Sequence, residues 1–206
     1  MNQSICLTGL LLVLLLFPGK GHAQQSPKLD SLLQRLETSR PDTNQMLILQ
    51  RLAWESVIND PAAAIRYSNR ALGLARKLKQ DKAIHRNLRV LGYAYGRLSD
   101  YPTSLRYAEA SLAFARKIKY EEGIAASYAA LAFTYSKQGD FNKALAFHSR
   151  TLAMVEAERD TVKIINCLYN IGNIHQNKGD HAQSVRYYLK VLRLAELRND
   201  AEMTAL

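Results

Sequence analysis

Helix breakers and cross-links are scarce in this chain. Its 206 residues hold 10 Gly, 5 Pro and 2 Cys. Three of the prolines (Pro18, Pro27, Pro41) lie before residue 45, and Pro61 and Pro102 sit at turns. A long stretch with so few breakers, rich in Ala, Leu, Arg and Lys, reads as helical throughout. Long apolar runs are missing as well. The longest, Leu7 to Phe17, is interrupted only by Thr8 and Gly9. Eleven residues are too few for a membrane-spanning helix, which needs about 20.

That run fits the core of a secretory signal peptide instead. Pro18-Gly19 ends it, and Gly21-His22-Ala23 offers small residues for cleavage after Ala23. Residues 1–23 are therefore expected to direct export, leaving a periplasmic or extracytoplasmic protein. Cys6 lies before the apolar core, so the segment is not a lipoprotein-type signal. Its removal leaves Cys167 alone. One cysteine cannot form an internal disulfide, so the fold must stand on packing. Inside an amphipathic helix, Cys167 reads as a packed small residue.

Acidic residues are the other shortage. The formal charge is +10. Between Arg66 and Lys119 there are 13 Lys or Arg against three acids, Asp81, Asp100 and Glu109. Such an excess suits an anionic partner. Nucleic acid is set aside for this region, because an exported protein rarely meets it. Arg76, Lys77 and Lys79 recur as Arg116, Lys117 and Lys119, all near the ends of helices. Positive charge there complements the helix dipole, worth roughly 0.3–1 kcal/mol each. The alternative is a basic rim for an acidic protein or a lipid surface.

Catalytic chemistry has little to work with. There is no phosphate loop, nucleophile elbow or dinucleotide glycine pattern. The five histidines (His22, His85, His148, His175, His181) are scattered, and none pairs at zinc spacing. Glu121-Glu122 and Glu156/Glu158 read as solvated helix ends. The sequence offers no catalytic, cofactor or metal set, and no enzyme is expected within these residues.

What the chain does have is repetition. Asp60, Asp100, Asp140 and Asp180 stand 40 apart. So do Tyr67, Tyr107, Phe147 and Tyr187, and so do Leu72, Leu112, Leu152 and Leu192. Ahead of them Leu91, Leu131 and Ile171 recur, followed by Gly92, Ala132 and Gly172, then Tyr95, Tyr135 and His175. The small residue lets two helices approach closely. The aromatic three residues on lies on the same face and fills the adjacent layer. In Gln138-Gly139-Asp140 and Lys178-Gly179-Asp180 the Gly ends one helix and the Asp caps the next.

Tyr128 to Leu152 resembles a tetratricopeptide repeat. Tyr128, Leu131-Ala132, Tyr135, Gly139-Asp140-Phe141, Ala144-Leu145, Phe147 and Leu152 fall in that family's signature columns. The resemblance implies an all-α, right-handed superhelical solenoid of antiparallel helix-turn-helix repeats. Repeats run over about 83–122, 123–161 and 162–202, with a weaker first one over 45–82. Residues 24–44 hold a capping helix and turn. Asp200 to Leu206 align with the start of a first helix, so a truncated fifth repeat is expected. The period is 40 instead of the family's 34, which we read as longer second helices. The lead-in Pro41-Asp42-Thr43, Leu52-Ala53, Asp60-Pro61 is similar to the exported regions of Bacteroidetes-type membrane signalling proteins. Those carry kinase, cyclase or DNA-binding output domains, and membrane attachment would come only through sequence beyond Leu206.

In the resembled family the first helices line the ligand groove. Carried over position by position, this gives Arg86, Arg89, Tyr93 and Arg97. It then gives Ala129, Phe133 and Lys137, and finally Asn166, Tyr169, Asn173, Gln176 and Asn177. Asn side chains can bond a peptide backbone at both C=O and N–H, and Arg takes carboxylates. The expected partner is a protein or peptide, held in the concave groove. The strip is similar to the carboxylate-clamp class, though its Asn and Arg come in different repeats.

Overall fold

The computed structural model describes residues 27–204. The expected signal peptide, residues 1–23, lies outside the described residues. Among those described, nine α-helices follow one another. They are α1 (Pro27–Glu37), α2 (Thr43–Ser56), α3 (Pro61–Lys77), α4 (Asp81–Arg97) and α5 (Tyr101–Lys117). After these come α6 (Glu121–Gln138), α7 (Phe141–Ala157), α8 (Thr161–Lys178) and α9 (His181–Thr204). No strand occurs among the described residues. Each helix packs on its chain neighbours, and α4 also touches α2 and α6. This is the expected all-α solenoid of paired helices.

The aspartates start the helices. Asp60, Asp100, Asp140, Asp160 and Asp180 each accept a hydrogen bond at Oδ1 from the backbone N–H three residues on, at 2.8–3.2 Å. Asp42 accepts from Asn44 and Gln45. Each bond satisfies a donor that the first helical turn leaves open. Gly139 and Gly179 end α6 and α8 with φ of 83° and 84°. At four of the other turns Lys79, Ser99, Lys119 and Arg159 take the left-handed conformation at φ 51–62°, although each carries a Cβ. The following N–H closes the turn, as Gln80 N–H does on the Ala75 carbonyl at 2.9 Å.

The aromatic column stacks between the two helices of a repeat. Tyr95 lies on Tyr107, Tyr135 on Phe147 and His175 on Tyr187, with ring centres 5.4–5.7 Å apart and planes within 14°. Gly92 permits the close approach of α5, since a Cβ there would lie 3.4 Å from Ala108 N and Ser104 O. Ser104 uses that proximity and donates to the Gly92 carbonyl at 2.7 Å. Leu29, Leu32, Leu33 and Leu36 of α1 pack on Ile48 and Leu52 and cover the front of the array.

Two expectations shift. The added length is not confined to the second helices, because α4, α6 and α8 are also 17–18 residues long. The turn that the repeat spacing places before Asp200 is not made, and α9 runs on to Thr204. A left-handed turn is held elsewhere by the next helix packing back on the array.

Candidate functional site

The helices α2, α4, α6 and α8 share one face of the solenoid. Two hollows of about 370 and 410 Å³ lie on it. Both are lined by Trp54, Ala129, His148 and Asn170, so they form one groove. An aromatic spine follows the column after the small residues Ala53, Gly92 and Ala132. Trp54 meets Tyr93 edge to face at 6.0 Å, and Tyr93 meets Phe133 at 5.1 Å. Asn173 ends the column and accepts a 2.7 Å bond from the Tyr188 hydroxyl. Trp54 is 48% exposed despite its size. Trp, Tyr and Arg, here Trp54, Tyr93 and Arg89, are the residue types in which binding hot spots are enriched.

Cations are spread along this spine. The Arg89 guanidinium lies 5.1 Å from the Trp54 ring and 5.7 Å from that of Tyr93. Lys137 Nζ stands 5.8 Å from Phe133. At one end Lys163 gathers the acids: its Nζ is 2.9 Å from Glu158, and 3.5 Å from both Glu122 and Asp160. The Glu158 hydrogen bond leads in holding Lys163 well above its ordinary pKa. Glu122 is held below the usual carboxylate value, first by the Tyr120 hydroxyl that donates to it at 3.0 Å.

The groove floor contains a cysteine and a histidine in contact. Cys167 Sγ donates to the His148 carbonyl at 3.4 Å and lies 3.9 Å from His148 Nδ1. Burial pushes the thiol up to about 12 and the imidazole down to about 4. A nucleophilic pair needs a thiolate beside an imidazolium, the reverse of both shifts. The contact is therefore a neutral packing pair. No three His, Cys, Asp or Glu side chains among the described residues gather as a metal site. None of the described helices is long and apolar enough to cross a membrane.

Of the residues placed at the groove by sequence, Arg89, Tyr93, Phe133, Lys137, Asn173 and Asn177 line it. Ala129 and Asn166 line it too. Arg97 faces a neighbouring hollow with Ile58, Pro61 and Tyr101. Arg86 lies outside both hollows, close enough to Glu122 and Tyr120 to bias their ionisation. Tyr169 is also outside them, its ring against Tyr188 at 5.8 Å. The next residue, Asn170, takes the place in the groove. Trp54, His148, Thr151 and Lys163 were not anticipated there. Glu122 and Glu158 are not plain solvated helix ends but line the first hollow with Lys163.

Residues 83–157 match one tetratricopeptide-repeat family model and residues 165–196 match a second. No curated protein matches the sequence. Among solved structures, the chain is similar to a Rap protein complexed with competence and sporulation factor. The TM-score is 0.73 at 17% identity, over 86% of this chain and 51% of that one. It is similar to aspartyl phosphate phosphatase F from Bacillus subtilis, with a TM-score of 0.68, 11% identity and coverage of 84% and 49%. It is similar also to BtubC from P. vanneervenii, with a TM-score of 0.60, 18% identity and coverage of 82% and 71%. The chain thus spans about half the length of the Rap protein. At these identities the likeness is one of fold.

Proposed function

We propose that this chain, which carries tetratricopeptide repeats over residues 83–157 and 165–196, is a binding scaffold that holds an extended segment of a partner protein in its groove. The observation that carries this is the spine of exposed Trp54 and half-buried Tyr93 and Phe133 beside Arg89 and the Asn170–Asn173–Asn177 row. Aromatic faces grip apolar side chains, and the amides bond a strand's backbone at both N–H and C=O. A Rap protein of similar fold was solved in complex with competence and sporulation factor. Changing Phe133 to Ala is expected to weaken retention of peptides selected from a random library by about tenfold. Unchanged retention would sink this reading of the groove.

The site of action is proposed to be outside the cytoplasm, on the strength of the apolar run Leu7 to Phe17 and the small residues before Gln24. N-terminal sequencing of exported protein is then expected to begin at Gln24, and an intact Met1 would refute cleavage. A sensor region of a membrane signalling protein is the second reading. Its support is the likeness of the lead-in Pro41-Asp42-Thr43, Leu52-Ala53 and Asp60-Pro61 to the exported regions of such proteins.

A further inference from the structure

The groove is least filled where α6 crosses it. Helix α4 lines it with Arg89 and α8 with Asn166 and Asn170, whereas α6 contributes only Ala125, Ala126 and Ala129 besides Glu122. The small side chains open a notch that reaches the second layer of helices, where His148 and Thr151 of α7 line its floor. Both are nearly buried, with 4% and 7% exposure. The notch and its mouth enclose about 370 Å³. A cavity of about 150 Å³ holds a benzene ring, so a large apolar side chain fits with room for its backbone.

One wall of the notch is Arg89. Its guanidinium lies against the neighbouring Trp54 and Tyr93 rings, 5.1 and 5.7 Å from their centres. Its Nε is buried and has no hydrogen-bond partner. No acid pairs with Arg89 among the ion pairs of the described residues. A guanidinium held against two rings loses little entropy when its terminal nitrogens meet a carboxylate. The acids that line the same hollow, Glu122 and Glu158, are both engaged by Lys163. They do not reach across to Arg89, but they do set a negative potential near it. A singly charged carboxylate tolerates that neighbourhood better than a doubly charged phosphate.

We propose that the notch takes a bulky apolar side chain of the bound segment, and that Arg89 takes the carboxylate of an Asp or Glu beside it. The proposal rests on the groove being the binding face and adds what the groove selects. Recognition is then two-part. The alanines of α6 read size by leaving space, and Arg89 reads charge.

The test is a display library of random peptides, panned in parallel on the full chain and on two variants. Ala129→Leu fills the notch. Arg89→Gln keeps much of the stem and removes the charge. The unaltered chain is expected to enrich Leu, Phe or Trp next to Asp or Glu. Ala129→Leu is expected to lose the apolar preference and keep the acidic one, and Arg89→Gln the reverse. Each change should weaken the best peptide by about tenfold. Thermal melts verify folding, and Ala126→Met replaces Ala129→Leu if that variant fails to fold. Enrichment of peptides lacking the apolar–acidic pair would overturn this proposal and leave the groove reading intact. Enrichment of none would overturn both. Tighter binding when phosphoserine replaces the acid would overturn the carboxylate assignment.

Discussion

Acidifying the protein from about pH 7 to about pH 5 is expected to lower its melting temperature steeply, before most carboxylates titrate. Two buried histidines are the cause. His85 is 1% exposed, and its Nε2 lies 3.0 Å from the Gly123 carbonyl and 3.0 Å from Ser127 Oγ. The carbonyl can only accept, so Nε2 carries the hydrogen. That leaves Nδ1 bare, buried and without a partner. Protonating it would bury an N–H with no acceptor and a charge beside Arg89 and Arg86. Burial first, and Arg89 next, push His85 down to about 4. The Tyr120 ring packs edge-on against it, and Glu122 opposes the shift only weakly. His148 is 4% exposed and is pushed to about 4 by burial alone.

The sign follows from linkage. Both folded values lie below the unfolded value of about 6.5. Between about pH 6.5 and 4 the unfolded chain binds protons that the folded chain refuses. Stability therefore falls as the pH drops through that window. Each histidine contributes on the order of 3 kcal/mol across it. A domain's whole stability is about 5–15 kcal/mol, so the pair is decisive. Glu122, Asp140 and Asp160 are held below their ordinary values, and their loss adds in the same direction at lower pH. Replacing His148 by Gln and His85 by Asn should flatten the profile above pH 5. Thermal melts at several pH values read this directly. A melting temperature constant from pH 7 to 5 would show that neither histidine is held neutral by the fold.

The array was legible because its signals are local and repeat. An Asp that caps a helix needs only the next three residues. A small residue followed three positions later by an aromatic fixes one helix face. Stacks such as Tyr135 on Phe147 follow once two helices are paired at that spacing. The groove was legible in part, and the failures have spatial causes. Trp54 belongs to the column of Tyr93 and Phe133 but stands 39 residues from Tyr93, because the first repeat's turn is one residue shorter. His148 and Thr151 belong to the second layer. They reach the groove only because Ala126 and Ala129, on another helix, are small. Glu122, Glu158 and Lys163 meet across two turns and show no common motif. Tyr169 was misplaced by one position, a rotation of about 100° about the helix axis, which carries it to Tyr188.

Replacing Leu91 by Ala should cost about 3 kcal/mol, within the roughly 2–5 kcal/mol range for a fully buried leucine. Leu91 has no exposed surface. It packs with Leu72 and Leu88, and against Ile65, Tyr95, Tyr107 and Phe114. Those contacts join α3, α4 and α5, so the cavity opens between two repeats and not inside one. In a solenoid each repeat leans on its neighbours only. Weakening one interior junction divides the array into two blocks that unfold more nearly independently. The chain has one tryptophan, Trp54, in α2 on the front side of that junction. Its fluorescence reports the front block, whereas far-ultraviolet circular dichroism reports all helices. In urea the two transitions should coincide for the unaltered chain and separate for Leu91→Ala, the tryptophan moving first. Leu32→Ala is the matched control. Leu32 is almost as buried, at 4%, but lies in the front cluster of α1 and α2, which only Tyr67 of α3 joins. Its loss should fray the front cap without separating the two probes across the rest of the array. Coincident transitions in Leu91→Ala, with a loss under about 1 kcal/mol, would mean that this junction does not couple the repeats.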